Sequence, residues 1–186
     1  MADKNLDRQI KSYIRKLRNI SQIEVPRANA AAINGIAKRS RTRIIAGVSK
    51  QTRIPQKDIR RKTYLSRATA RKPTAKLTGY VKPVSAVRLL TKNQVAKKIG
   101  TGTNKQGVKA KGYNWPGAFL QRGAGANVHV FQRSSSSRYP ISVVTVDVTK
   151  PFQNTLAVVP KRLMKSDYKR LLQQELKFRL SKYNAR

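Results

Sequence analysis

The sequence predicts an α+β fold: N-terminal amphipathic helices, a small and mostly antiparallel β-sheet carrying a long basic loop, and a C-terminal helix. Three observations predict it. Apolar residues recur at three- and four-residue steps in both terminal parts, the spacing of a helix face. β-branched residues and glycine turns dominate the middle. The length, 186 residues, suits one domain in three successive parts: helical 3–71, β 74–148 and helical 151–186.

The elements follow in order. Leu6, Ile10, Tyr13, Ile14, Leu17 and Ile20 line one helix face, with Asp3 and Asp7 at the dipole-favoured start. Pro26 is expected to open a second helix, because its missing N–H is harmless in a first turn. Ala30, Ile33, Ala37, Ile44 and Val48 form the apolar face of that helix, and Gly35 allows close contact there. A third, shorter helix begins at Pro55, with Asp58 in its first turn and Ile59 and Leu65 inward. "AKLTGYVKPVSAVRLL" reads as two short strands broken at Lys82-Pro83. "AFLQRGAGANVHVFQR" reads as a hairpin whose glycines provide positive φ at the turn. "YPISVVTVDV" is a further strand. The stretch 91–114 is expected to be a flexible, structureless basic loop. After Pro151, a helix carries Leu171, Leu172, Leu176, Leu180 and Tyr183 as a stripe, and Pro160 is expected to break or restart it.

Charge is the dominant compositional fact. Lys and Arg number 42 against 7 Asp and Glu, a formal net charge of +35. Such a particle repels itself unless a polyanion or an acidic protein surface meets it. No acidic residue lies between Asp58 and Asp147. The cations expected to face nucleic acid or an acidic partner are Arg60, Arg61, Lys62, Arg67, Arg71, Lys72, Lys92, Lys97, Lys98, Lys105, Lys109 and Lys111. Those of 91–114 are all lysine, which suits sequence-blind backbone contact better than base reading.

The same composition weighs against chemistry. With no cysteine and a single histidine, His129, thiol chemistry and a histidine-rich metal site lack their ligands, so no metal and no cofactor are expected. His129 sits in a strand-like run far in sequence from most carboxylates, and a packed or interface histidine outweighs a general base. "GTGTNKQG" lacks the Lys-Ser/Thr that a phosphate loop needs after its last glycine. The serines at 134–137 lack a nucleophile-elbow context. The N-terminus has no signal-type apolar core, and no run approaches a membrane span. An enzyme is therefore not expected.

The ordered set of segments carries a resemblance: Val25-Pro26 with "ANAAAIN", then "RIPQKDIRRKTYLSRATARKPTAK", then Pro116-Gly117-Ala118-Phe119, "VHVFQR" at 128–133 and "RYPISVV" at 138–144. By these the chain resembles the minor tail protein Z family of lambda-like bacteriophages, neck or tail-completion proteins of long non-contractile tails. The resemblance implies a structural virion protein that completes the tail top for head–tail joining and entry of the DNA end. It implies that Pro26, Pro116, Gly117, Phe119, His129, Gln132, Arg133, Arg138, Tyr139 and Pro140 are framework, with no active site carried over. It also implies a homo-oligomer, a ring matched to a six-fold tail. Tail-terminator, tail-tube or head-completion proteins would be neighbours, genomic DNA would lie in the lumen, and there would be no membrane partner. Its location would be the virion neck, and the host cytoplasm during assembly. The rival reading is a nonspecific nucleic-acid binder of ribosomal or nucleoid type.

Overall fold

The computed structural model describes residues 2–100, 107–123, 125, 127–135, 137 and 139–184. Its α+β content matches the class expected. Contacts gather into two compact units, each drawn from separated stretches: Met1–Arg43, Tyr64–Thr78 and Leu156–Arg186 in the first, Ile44–Thr63 and Gly79–Thr155 in the second.

Helix α1 (Ala2–Asn19) and helix α2 (Val25–Thr52) are not separated by a loop. A π-helical turn (Ile20–Glu24) joins them, and the Val25 N–H bonds five residues back to the Ile20 carbonyl. Pro26 sits in the first turn of α2, as expected, and the π turn before it takes the place of a break. A proline ring inside a regular helix clashes with the carbonyl four residues back, and a π turn is one of the ways a helix relieves that conflict.

The first unit is built on helix pairing. Ala28, Ala30, Ala32, Ile36 and Ala37 of α2 are buried, as is Leu163 of helix α5 (Thr149–Asn184). A Cβ on Gly35 would meet Leu171 of α5 at an ordinary 3.6 Å, so the two helices approach closely there. Tyr168 donates to Asn29 Oδ1 at 2.9 Å, Arg39 pairs with Asp167 at 2.8 Å, and Arg179 pairs with Glu24 at 3.2 Å. Pro160 does not break α5. It costs the Leu156 carbonyl its usual i+4 donor, but tertiary packing holds the helix through the defect, with Leu163 buried one turn later.

Helix α3 (Gln56–Arg61) starts after Pro55 and buries Ile59, as expected. The helical part ends earlier than residue 71. Strand β1 (Thr63–Ser66) follows directly and pairs with β2 (Lys76–Gly79), so half-buried Leu65 belongs to a strand rather than a helix. The β-forming run Thr63-Tyr64-Leu65 explains the switch.

The second unit holds several small antiparallel ribbons instead of one sheet. Strand β3 (Val84–Ser85) precedes a 3₁₀ turn (Ala86–Leu89) and pairs with β9 (Thr145–Val146). Strands β6 (Phe119–Arg122), β7 (Val128–Arg133) and β8 (Ile141–Val143) form a three-stranded sheet with Gln121 opposite His129 and Phe131 opposite Val143. Val144 links the two ribbons: its N–H bonds to Val130 and its carbonyl accepts from Ala86. Ala86, Val108, Ala118, Leu120, Val130 and Val144 form the core beneath. The β6–β7 turn closes with Gly123 N–H to the Asn127 carbonyl at 2.9 Å. Contrary to expectation, Gly123 is not at positive φ. Space explains Gly123 instead, since a Cβ there would press to 3.3 Å on the His129 ring.

The stretch 91–114, expected to be structureless, is folded wherever it is described. Helix α4 (Lys92–Lys98) opens on a complete capping box: Thr91 accepts from the Gln94 N–H, and the Gln94 side chain accepts from the Thr91 N–H. Strands β4 (Val108–Ala110) and β5 (Tyr113–Trp115) pair around Lys111 and Gly112, both at positive φ, the demand of a two-residue hairpin turn. Arg53 donates to the Lys111 carbonyl at 2.7 Å.

Candidate nucleic-acid or acidic-partner interface

The expected cations fall on four separate supports. Arg67, Arg71 and Lys72 lie on the exposed segment between β1 and β2 in the first unit. Asn34 anchors it from α2. Its Nδ2 donates to the Ala68 carbonyl at 2.9 Å, and its Oδ1 accepts from the Ala68 N–H at 2.8 Å, as a paired strand would. The remaining described cations belong to the second unit. Arg60 and Arg61 close α3, where cations favour the negative helix end. Lys62 follows at the cap and donates to the Lys82 carbonyl at 2.5 Å. Partial burial, with Lys82 nearby, pushes the Lys62 ammonium below its ordinary pKa. Its charge is engaged within the fold, which weakens it as a contact for an outside anion.

Lys92, Lys97 and Lys98 lie on α4, Lys109 in β4, and Lys111 in the β4–β5 turn. The supports of these lysines are thus a capped helix and a tight hairpin, a more ordered presentation than a loop. Lys105, and most of "GTGTNKQG", lie outside the described residues.

The expected framework residues meet around the hairpin. Trp115-Pro116-Gly117-Ala118 forms a turn closed by the Ala118 N–H to the Trp115 carbonyl. Gly117 has φ +67, the third-position geometry of a type II turn with proline second. Gln132 donates to the Pro116 carbonyl at 2.9 Å, tying that turn to β7. Phe119 stacks on Phe131 across the pair at 6.0 Å, Arg133 covers the Phe119 ring at 5.3 Å, and His129 meets Phe131 edge-on. His129 is thus one layer of an aromatic ladder. Pro26 takes the helical position already described. Tyr139 and Pro140 are joined by a cis bond, and Pro140 accepts from the Ser134 N–H. Arg138 lies outside the described residues.

Among the described residues, no three His, Asp or Glu side chains gather as metal ligands, and no helix is long and apolar enough to cross a membrane. Sequence reasoning did not single out Arg88 and Arg122. These line a second-unit cavity of about 910 Å³ together with Lys92 and His129. Only the fold joins segments so far apart. The apolar face of α1 lies open. Ile10, Tyr13, Ile14 and Leu17 are 46%, 66%, 52% and 64% exposed, although their spacing is that of a buried stripe.

Comparison with known proteins accounts for nearly the whole chain. It is 33% identical over 161 residues to the tail completion protein of Escherichia phage N15, covering 85% of this chain and 87% of that one. It is 26% identical over 161 residues to tail completion protein Z of Escherichia phage lambda, covering 81% and 82%. No solved structure matches. The family described as prophage minor tail protein Z (GPZ) matches residues 8–186, and the chain belongs to that family of phage tail proteins.

Proposed function

We propose that this protein completes the top of a long phage tail so that the tail joins the head and the DNA end enters the tube. The observation that carries this reading is the coincidence of family membership across residues 8–186 with a stripe of large apolar side chains left open on α1. Exposed apolar stripes of this size mark surfaces that associate. In this reading copies assemble into a ring, six-fold like the tail, with α1 and the 118–133 hairpin at the interfaces. Tail-terminator, tail-tube or head-completion proteins are its neighbours. The cations face DNA in the lumen or the acidic surfaces of those neighbours. The protein acts without catalysis, in the virion neck, after assembly in the host cytoplasm.

The test is deletion of the gene in the phage or prophage that carries it, followed by electron microscopy. Filled heads and tails with a defective joint, restored by supplying the protein, are expected. Normal particles and full infectivity would overturn the reading and bring forward a nonspecific nucleic-acid binder, which predicts tight DNA binding with a steep salt slope.

A further inference from the structure

The cavity of the second unit joins two chemistries that one ligand class satisfies. Its floor is apolar: Val87, Leu90, Val95 and Val128 line it and pack on the core beneath. Its rim is cationic, with exposed Arg88, Lys92 and Arg122, and Asp58 is the one carboxylate among the described lining residues. Two polar atoms in lining residues, Ser85 Oγ and His129 Nδ1, are buried and have no hydrogen-bond partner among the described residues. Buried polar groups are ordinarily paired, so each marks a place where an incoming group can bond.

We propose that this groove docks an acidic polypeptide segment, carboxylates flanked by apolar side chains, from a neighbouring virion protein. Arginine suits carboxylate through paired N–H donors, and the two arginines with Lys92 hold three cations above one apolar floor. Peptide backbone and carboxylate oxygens satisfy Ser85 and His129, while the apolar flanks cover the valines. DNA fits less well. Its phosphates would match the rim but leave the floor facing a hydrophilic backbone, and Asp58 would repel them. A second copy fits less well still, since a chain of net charge +35 meets a cationic rim with like charge.

The proposal rests on the tail-structural reading above, and its test separates the two. A photo-crosslinking residue replaces Ala96 or, in a second variant, Asn127, both exposed and both lining the groove. Tails assembled with each variant are purified, irradiated, and the joined peptides sequenced by mass spectrometry. The expected result is one acidic, apolar-flanked segment of another virion protein. Arg88→Glu with Arg122→Glu should cut that crosslink at least tenfold, and changing the captured carboxylates to lysine should restore it. Arg88→Gln with Arg122→Gln is the milder pair should charge reversal disturb folding, and it should lower the yield in the same direction. Crosslinks to DNA, to a second copy, or to nothing in tails that both variants complete would overturn the groove proposal alone. A yield indifferent to both arginine pairs would do the same. A gene deletion without tail defect would instead remove the reading beneath it.

Discussion

The two units bury very different side chains. The second encloses Phe152, Ile44, Ile54, Ile59, Leu89, Leu120 and a set of valines almost completely. The first buries mostly alanines, with Leu163 the one large, fully enclosed side chain among its described residues, and leaves Ile10, Tyr13, Ile14, Leu17, Met164 and Phe178 exposed. Alanine contacts bring helices close but remove little apolar area from water, whereas each large buried side chain contributes roughly 1.5–3 kcal/mol. The second unit therefore gains more from apolar burial, and the first leaves large apolar side chains open to water.

The largest effect that bears on this contrast is expected at Phe152. Phe152→Ala should cost about 3–5 kcal/mol, read as a lowered denaturant midpoint; a change below about 1 kcal/mol would break the contrast. Gly107→Ala comes next. Gly107 has φ +66, and a Cβ there would lie 2.1 Å from the Trp115 carbonyl oxygen, a backbone atom that cannot swing aside. Left-handed strain and forced displacement together should cost about 2–4 kcal/mol, with the β4–β5 amides exchanging faster with solvent.

Ile14→Ala with Leu17→Ala should behave in the opposite way. Stability of the free protein should stay within about 0.5 kcal/mol, as for exposed positions, while complementation of a deletion falls at least tenfold. Full complementation by this pair would remove α1 from the assembly surface. The smallest effect is electrostatic. Hydrogen bonds from Ser166 and Arg39, with the charges of Arg39 and Arg170 nearby, hold the Asp167 carboxyl below its ordinary pKa of 3.8. A depressed carboxylate stabilises the fold above its unfolded pKa and loses that contribution as pH falls through the folded value. Asp167→Asn should thus narrow the difference in stability between neutral and strongly acid pH slightly, measured by thermal melts across that range. An unchanged pH profile would show that this exposed pair contributes nothing.

These contrasts were unevenly legible beforehand. The hairpin at 119–133 was readable because its β-branched and aromatic residues bracket a glycine turn, a local signal. Helix α4 was missed although its own signal is local too: Thr91 followed three residues later by Gln94 is a capping box. The lysine- and glycine-rich composition around it reads as a loop. Lys111-Gly112 as a tight turn was likewise present but unweighted. The π turn before Pro26 is not legible, because a proline in a first turn after a loop and one after a π turn look alike in sequence, and only the hydrogen-bond ladder distinguishes them. Pro160 was misjudged because tertiary burial on α5 outweighs a local defect. The groove was beyond reach, because Asp58, Ser85, Lys92 and Arg122 come from four elements that share no periodicity.

The π turn at Ile20–Glu24 has a geometric consequence for α1. One residue advances an α-helix by about 100°. A turn that spends an extra residue therefore resets the rotational phase of everything N-terminal to it. The azimuth at which α1 presents Ile10, Tyr13, Ile14 and Leu17 is set by that single surplus position, not by the side chains themselves. With every residue kept and that turn closed to a regular α turn, the same stripe would point about a quarter-turn away. The stripe would then be re-aimed with no residue gained, lost or changed.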